Sequence, residues 1–213
     1  MLVTAIIYSG IAIGLAIAWY TGRASYNRRR SRRVLQWIES ALAGRGRVLA
    51  IQWTTPGTFR AHLQLAPNAC FHDAAIEVRF RALSWLLARW RKEPDLLTFE
   101  ADLDPMPTRS LELHRHRWYG RTRRKLTDNA SSWPGQHYPT LVITTEDAWD
   151  AQAAAALASF PSKGEYQVLS VVFQRSSPQF SVTVPLANLA HASRGQLLPA
   201  FEELASGASA WSA

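Results

Sequence analysis

The chain has a single cysteine among its 213 residues, Cys70. That excludes an intramolecular disulfide and fits a reducing compartment. Cys70 stands in Ala-Cys-Phe-His, where a free thiol serves by default as a small buried apolar group. Lysine is also scarce: Lys92, Lys125 and Lys163 are the three among 24 basic residues. We read the arginine bias as high-GC coding rather than as selection for bidentate contacts. No GxxxxGK(S/T), GxGxxG, HExxH, GxSxG or CxxC occurs. Those gaps remove the familiar phosphate-loop, dinucleotide, zinc-protease, hydrolase and dithiol signatures. The sequence calls for no cofactor.

The most informative absence is local. Residues 2–20, LVTAIIYSGIAIGLAIAWY, hold no charge, no proline and no amide side chain. An uncharged run of about 20 residues is long enough to cross a bilayer as a helix. Its length, about 28 Å, approaches the hydrocarbon thickness. Trp19 and Tyr20 stand where an interfacial aromatic belt belongs. Arg23, Arg28, Arg29, Arg30, Arg32 and Arg33 follow at once, and arginines there favour the cytoplasmic side. A cleaved signal peptide fits less well, although Ala16-Ile17-Ala18 mimics a cleavage site, because no positive charge precedes the apolar run.

The expectation is a single-pass protein of a bacterial inner membrane, N-terminus outside and C-terminal body in the cytoplasm. Residues 1–21 form the transmembrane helix, 22–33 a polybasic juxtamembrane segment, and 34–213 an α+β domain of antiparallel β-hairpins and helices. Gly10, Gly14 and Ala18 make a row of small residues that would let two such helices pack closely as a homodimer. Glycine is common in membrane helices without that role.

What is present supports a folded body. Nine tryptophans and 47% hydrophobic residues argue against a disordered tail. About 180 residues after the anchor suffice for one domain with a core. Charge is unevenly placed. Residues 1–125 hold 21 Lys/Arg against 9 Asp/Glu, a net +12, whereas 126–213 hold 3 against 7, a net −4. A basic half-chain implies an anionic partner.

Periodicity gives the elements. Val34, Leu35, Ile38 and Leu42 mark an amphipathic helix over 33–43, stopped by Gly44 and Gly46. It either continues the anchor or lies on the membrane surface. Val48–Thr54 and Thr58–Ala66 alternate as strands about the turn Thr55-Pro56-Gly57. Residues 74–92 fit both periods; length and Ala-Leu content favour a helix, with Asp73 as its cap and Glu77–Arg81 as an i,i+4 pair. Leu96–Leu103 and Ser110–Tyr119 read as strands, 120–139 as a polar loop, Leu141–Thr145 as a strand and Glu146–Phe160 as a helix. Tyr166–Arg175 and Gln179–Leu186 form another hairpin, and Gly195–Ala205 a last helix with Pro199 in its first turn. VLAIQWTTPGTFRAHLQLA at 48–66 resembles VLSVVFQRSSPQFSVTVPLA at 168–187. This suggests two related α-β-β-α units, 34–92 and 146–206. Shared two-residue alternation accounts for much of the match.

Candidate chemistry is sparse. His114 and His116 share a strand face and could reach one metal ion, with His137, His62 or Glu112 as a third ligand. Seven surrounding cations oppose that site. The run RHRWYGRTRRK is the stronger signal: Arg115, Arg117, Arg121, Arg123, Arg124 and Lys125 interleave with Trp118 and Tyr119. Such a strip holds single-stranded nucleic acid or anionic lipid. A domain tethered to a bilayer meets headgroups continuously, so lipid is favoured. Arg79, Arg81, Arg89, Arg91 and Lys92 read as a solvated helix face. Glu100, Asp102 and Asp104 could bind a metal ion, but read more simply as an edge strand kept soluble by charge. The expected function is a non-enzymatic module docking on anionic lipid through Arg28, Arg29, Arg30, Arg32, Arg33 and the 115–125 strip, with a protein partner on its acidic half. The alternative is a membrane-tethered domain that binds nucleic acid or cleaves phosphoesters with metal at Glu100, Asp102 and Asp104.

Overall fold

The computed structural model describes residues 2–67, 69–80, 94–107, 110–115, 118, 135–137, 141–145, 167–189 and 196–210. It is an α+β arrangement. Helix α1 (Leu2–Ala41) is followed by strands β1 (Gly46–Thr55), β2 (Thr58–Leu65), β3 (Phe71–Arg79), β4 (Leu96–Leu103), β5 (Leu111–Arg115), β6 (Gly135–His137), β7 (Leu141–Thr145), β8 (Ser170–Phe173) and β9 (Phe180–Pro185). Short α2 (Leu186–Leu189) and α3 (Leu197–Ala210) close the described chain. The strands form one sheet in the order β1-β2-β3-β4-β9-β8-β5-β7-β6, antiparallel at every step.

Alternation fixes the two faces. Phe59, Ala61 and Leu63 of β2, Ile76 and Val78 of β3, Leu97, Phe99 and Ala101 of β4, and Phe180, Val182 and Val184 of β9 lie on one buried face. Val171 and Phe173, Leu111 and Leu113, and Ile143 extend it across β8, β5 and β7. Ile38 and Leu42 from the end of α1, with Leu197, Leu198, Phe201 and Leu204 of α3, join the same cluster. Phe99 lies at its centre, with ring centroids 5.1 Å from Phe71, 6.2 Å from Phe180 and 5.2 Å from Phe201.

α1 is one unbroken helix of 40 residues. Its second half does not hang free. Asn27, Ser31, Ile38, Ala41 and Leu42 are buried, at spacings that put them on one stripe. Gly44, at φ 81°, ends it in the left-handed conformation that glycine adopts without a Cβ penalty. Among the described residues no helix is long and apolar enough to cross a membrane. The stretch expected as a spanning helix, 1–21, from Leu2 on, and the segment expected as juxtamembrane, 22–33, lie in one helix. The apolar run is the first half of a longer helix, whose arginine-bearing second half packs on the domain. The amide Nδ2 of Asn27 donates to the carbonyl of Pro56 at 2.9 Å, tying α1 to the β1–β2 turn. Asn27→Ala leaves that carbonyl without its donor and is expected to cost about 1–2 kcal/mol, read by urea unfolding of the full chain in detergent.

Several expectations change. The segment from residue 74 begins as strand β3, not as a helix; residues 81–92 lie outside the described residues. β3 is paired on both sides, Ile76 opposite Ala61 and Phe99, so its alternation is used and its helical spacing is not. Asp73 is no helix cap. It sits with φ 45° in an irregularity between His72 and Ala75, beside buried Ala74, which joins the core cluster. Glu77 pairs with Arg79, at 2.9 Å, and Arg81 lies outside the described residues. β4 lies in the middle of the sheet, so its carboxylates do not guard an edge. β6 falls within the segment expected to be loop. The helix expected over 146–160 lies outside the described residues. The two similar hairpins, β1–β2 and β8–β9, belong to one sheet; a strand follows the first and a short helix the second.

Candidate functional site

Strand direction sorts the molecule into two ends. β1 and β3 finish, and β2 and β4 start, at the end where Asn27 meets Pro56. Backbone bonds run along this end: Phe80 N to Gly57 O, 2.7 Å; Leu186 N to Asp95 O, 2.8 Å; Leu169 N to Thr183 O, 2.8 Å; Arg115 N to Leu169 O, 3.0 Å. β5 finishes here too, so Arg115 shares the end with the point where α1 leaves the domain. The β5 and β4 termini are three strand spacings apart, about 14 Å.

The exposed half of α1 starts from that end. Ile6, Ile7, Tyr8, Ile11, Ile13, Leu15, Ile17, Trp19 and Tyr20 each expose more than half of their surface and lie all round the helix. Gly10, Gly14 and Ala18 are exposed among them, and a Cβ at either glycine would meet nothing within 4 Å. Thr21 hides its hydroxyl within the helix by donating to Ile17 O at 2.9 Å.

The arginines then divide by role. At 100° per residue, Arg29 and Arg32 fall on the side of α1 away from Asn27 and Ser31, and Arg28 falls between the two sides. They are exposed and line an open groove of about 560 Å³ with Thr21, Ala24 and Ser25. Arg33 is exposed as well. Arg30 is spent on the fold instead: it pairs with Asp95 and places its guanidinium 5.4 Å from the Phe80 ring centroid. Arg23 approaches the β1–β2 turn, 3.5 Å from the position a Cβ on Gly57 would take. Arg30 stays exposed in part while Asp95 and Phe80 draw its guanidinium towards the domain. Arg115 and Trp118 are half-buried. Arg117, Tyr119, Arg121, Arg123, Arg124, Lys125 and His116 lie outside the described residues.

The carboxylates of β4 do not converge. Glu100 pairs with Arg60 of β2 at 2.8 Å. Asp102 accepts from the Ser177 hydroxyl at 2.9 Å and from the Gln179 amide at 3.1 Å, holding the β8–β9 turn at the opposite end. Asp104 is exposed, 3.6 Å from His72. His114 is buried on β5, about 14 Å away by strand count, with its Nε2 3.2 Å from a Glu112 carboxylate oxygen. Among the described residues no three His, Cys, Asp or Glu side chains are grouped to hold a metal ion. The buried pair Glu112–His114, flanked by buried Thr144 and Ser170, is a polar cluster; the sequence offered Glu112 beside His114 only as one of three alternative metal ligands. The i,i+2 spacing on a strand was the available signal.

Burial pushes the Glu100 carboxyl above its usual range, Glu77 adds to this, and Arg60 opposes it. The folded state therefore holds that proton more tightly than the unfolded chain, and ionisation removes stability as pH rises through the raised value. Relative to wild type, Glu100→Gln is expected to gain stability as pH rises from the ordinary carboxylate range through the raised value. Urea midpoints of both proteins across that range check the sign. Burial, then Glu202, likewise raises the thiol of Cys70, which is half-buried against the core and so less reactive than a free cysteine.

No protein-family model matches this chain, and no curated protein matches it significantly.

Proposed function

We propose that the protein is a non-enzymatic membrane-docking module. In this reading the uncharged N-terminal half of α1 embeds its exposed apolar side chains in a bilayer, and the sheet domain stands on the cytoplasmic surface as a platform for a partner protein. One observation carries the reading: a helix half with large apolar side chains exposed all round emerges from the domain at the end that also bears the arginines. Contiguous apolar exposure on that scale marks a membrane or protein contact. Apolar character all round the helix suits hydrocarbon better than a one-sided groove. Arg28, Arg29, Arg32 and Arg33 would then stand at headgroup level, each Lys or Arg near anionic lipid contributing about 1 kcal/mol. Arg115 belongs to the same end by strand direction.

The domain cannot swing freely on such an anchor. Residues 23–42 are both the continuation of the inserted helix and part of the domain's packing. Helix tilt would thus set the orientation of the sheet. The polar sheet face carries Arg60, His62, Gln64, Glu77 and Glu100, and Glu202 and Glu203 lie on α3 across the core. These are mixed charges suited to a polar protein surface.

Fusing a reporter active only in the periplasm after Ala213, in a bacterial host, tests the arrangement. The fusion should be inactive, and the chain should stay in the membrane fraction after a high-salt wash. An active fusion reverses the topology; a salt-released chain removes insertion and leaves only surface charge.

A further inference from the structure

The exit point of α1 holds a second, smaller groove. Tyr20, Ala24 and Arg28 form one wall, and Trp53, Thr54, Thr55 and Pro56 at the tip of the β1–β2 hairpin form the other. Its volume is about 270 Å³. That is below the roughly 300–1,000 Å³ of drug-sized ligand sites, so it suits a small headgroup and not acyl chains.

The chemistry of the walls is specific. Arg28 is the one charged residue among the described walls. The hydroxyl of Thr54 turns back to Thr58 O at 3.3 Å, and that of Thr55 accepts from Gly57 N at 3.2 Å, so both serve the turn. Tyr20 is exposed. Trp53 is half-buried and leans on Phe59, ring centroids 5.4 Å apart. Two amphipathic rings and one guanidinium lining the same groove match a single-charged phosphodiester whose apolar portion continues past the rings. The groove also lies where the uncharged run ends and the arginines begin, the depth at which a headgroup would sit.

We propose that this groove binds the phosphodiester headgroup of one anionic phospholipid, with Arg28 on the phosphate and Tyr20 and Trp53 flanking the glycerol. The inference rests on the membrane reading above. It differs from general charge attraction in requiring one residue and one stoichiometry. Because the hairpin wall is held to α1 by Asn27 and Pro56, the site is preformed and does not wait for the lipid.

The full chain in nanodiscs of phosphatidylcholine with one-tenth phosphatidylglycerol provides the test. Lipid retained after transfer to detergent is counted by native mass spectrometry. Wild type should keep one phosphatidylglycerol. Arg28→Gln should weaken retention about tenfold or more, as loss of a charged hydrogen bond predicts. Tyr20→Ala, which removes an exposed ring, should weaken it as well. Arg47→Gln makes the same charge change on β1 at the far end, outside the groove, and should leave retention unchanged. Equal weakening by Arg28→Gln and Arg47→Gln would show diffuse attraction and overturn the site, as would equal retention of phosphatidylcholine. Displacement of the lipid by millimolar glycerol 3-phosphate would assign the groove to a soluble phosphate and overturn it too. A chain that never enters the nanodisc defeats the membrane reading itself, whereas a nanodisc-bound chain that retains no lipid defeats only the groove.

Discussion

Replacing Ile11 and Leu15 together by arginine is expected to move the chain from the membrane fraction to the soluble fraction without altering the stability of the sheet domain. The two residues are one turn apart and highly exposed, and neither belongs to the core cluster. An arginine near the centre of an inserted helix costs roughly 2.5–3.5 kcal/mol on insertion scales. Two should cost about 5–7 kcal/mol, a change in partition of more than a thousandfold. In water the same substitutions remove apolar exposure, so they should cost the folded domain nothing measurable. Fractionation of cells and urea unfolding of the variant together decide the point. If the variant stays in the membrane after a salt wash, the apolar half of α1 is not what holds it there. If the domain unfolds at lower urea, that half contributes to the fold and its exposure has another meaning.

Phe99→Ala should be the most damaging single change in the domain. Phe99 is almost wholly buried, sits on the central strand and meets the rings of Phe71, Phe180 and Phe201. These four rings come from β3, β4, β9 and α3, so Phe99 joins parts of the chain about a hundred residues apart. Removing a buried phenylalanine ring costs about 3–5 kcal/mol through lost transfer energy and the cavity left behind. At roughly 2–4 °C per kcal/mol for a chain of this size, the midpoint should fall by about 10 °C. Calorimetry on the variant reads this directly. A drop of only about 2 °C would mean that the cavity collapses, or that β4 and β9 do not carry the joint between the two halves.

Those two outcomes rest on different layers of information. The apolar run at 2–20 needs no partner to be seen, because hydropathy is a property of consecutive residues. The hairpins at 48–66 and 168–187 were legible for the same reason: strict alternation and a proline turn lie within about twenty residues. The stop at Gly44 is equally local. The segment from residue 74 was not legible, because Ile76 and Phe80 serve a strand period and a helix period alike. Partners on β2 and β4, far off in sequence, decide for the strand. The arginines show the same division. Their sequence cluster is plain, but only the fold brings Asp95 and Phe80 beside Arg30.

By itself, then, the sequence determined the apolar segment with its arginine flank, the α+β class and the places where strands turn. Each follows from charge, hydropathy and two-residue alternation over a short window. The tertiary structure alone decided that α1 runs unbroken into the domain, that β4 is central, that Glu100, Asp102 and Asp104 take separate partners, and that the ends of β1 and β5 share one end of the sheet with the exit of α1. The reason is physical. Strand order and helix docking are settled by pairing and burial between residues far apart in the chain, and such contacts leave no mark on the local periodicity of either partner.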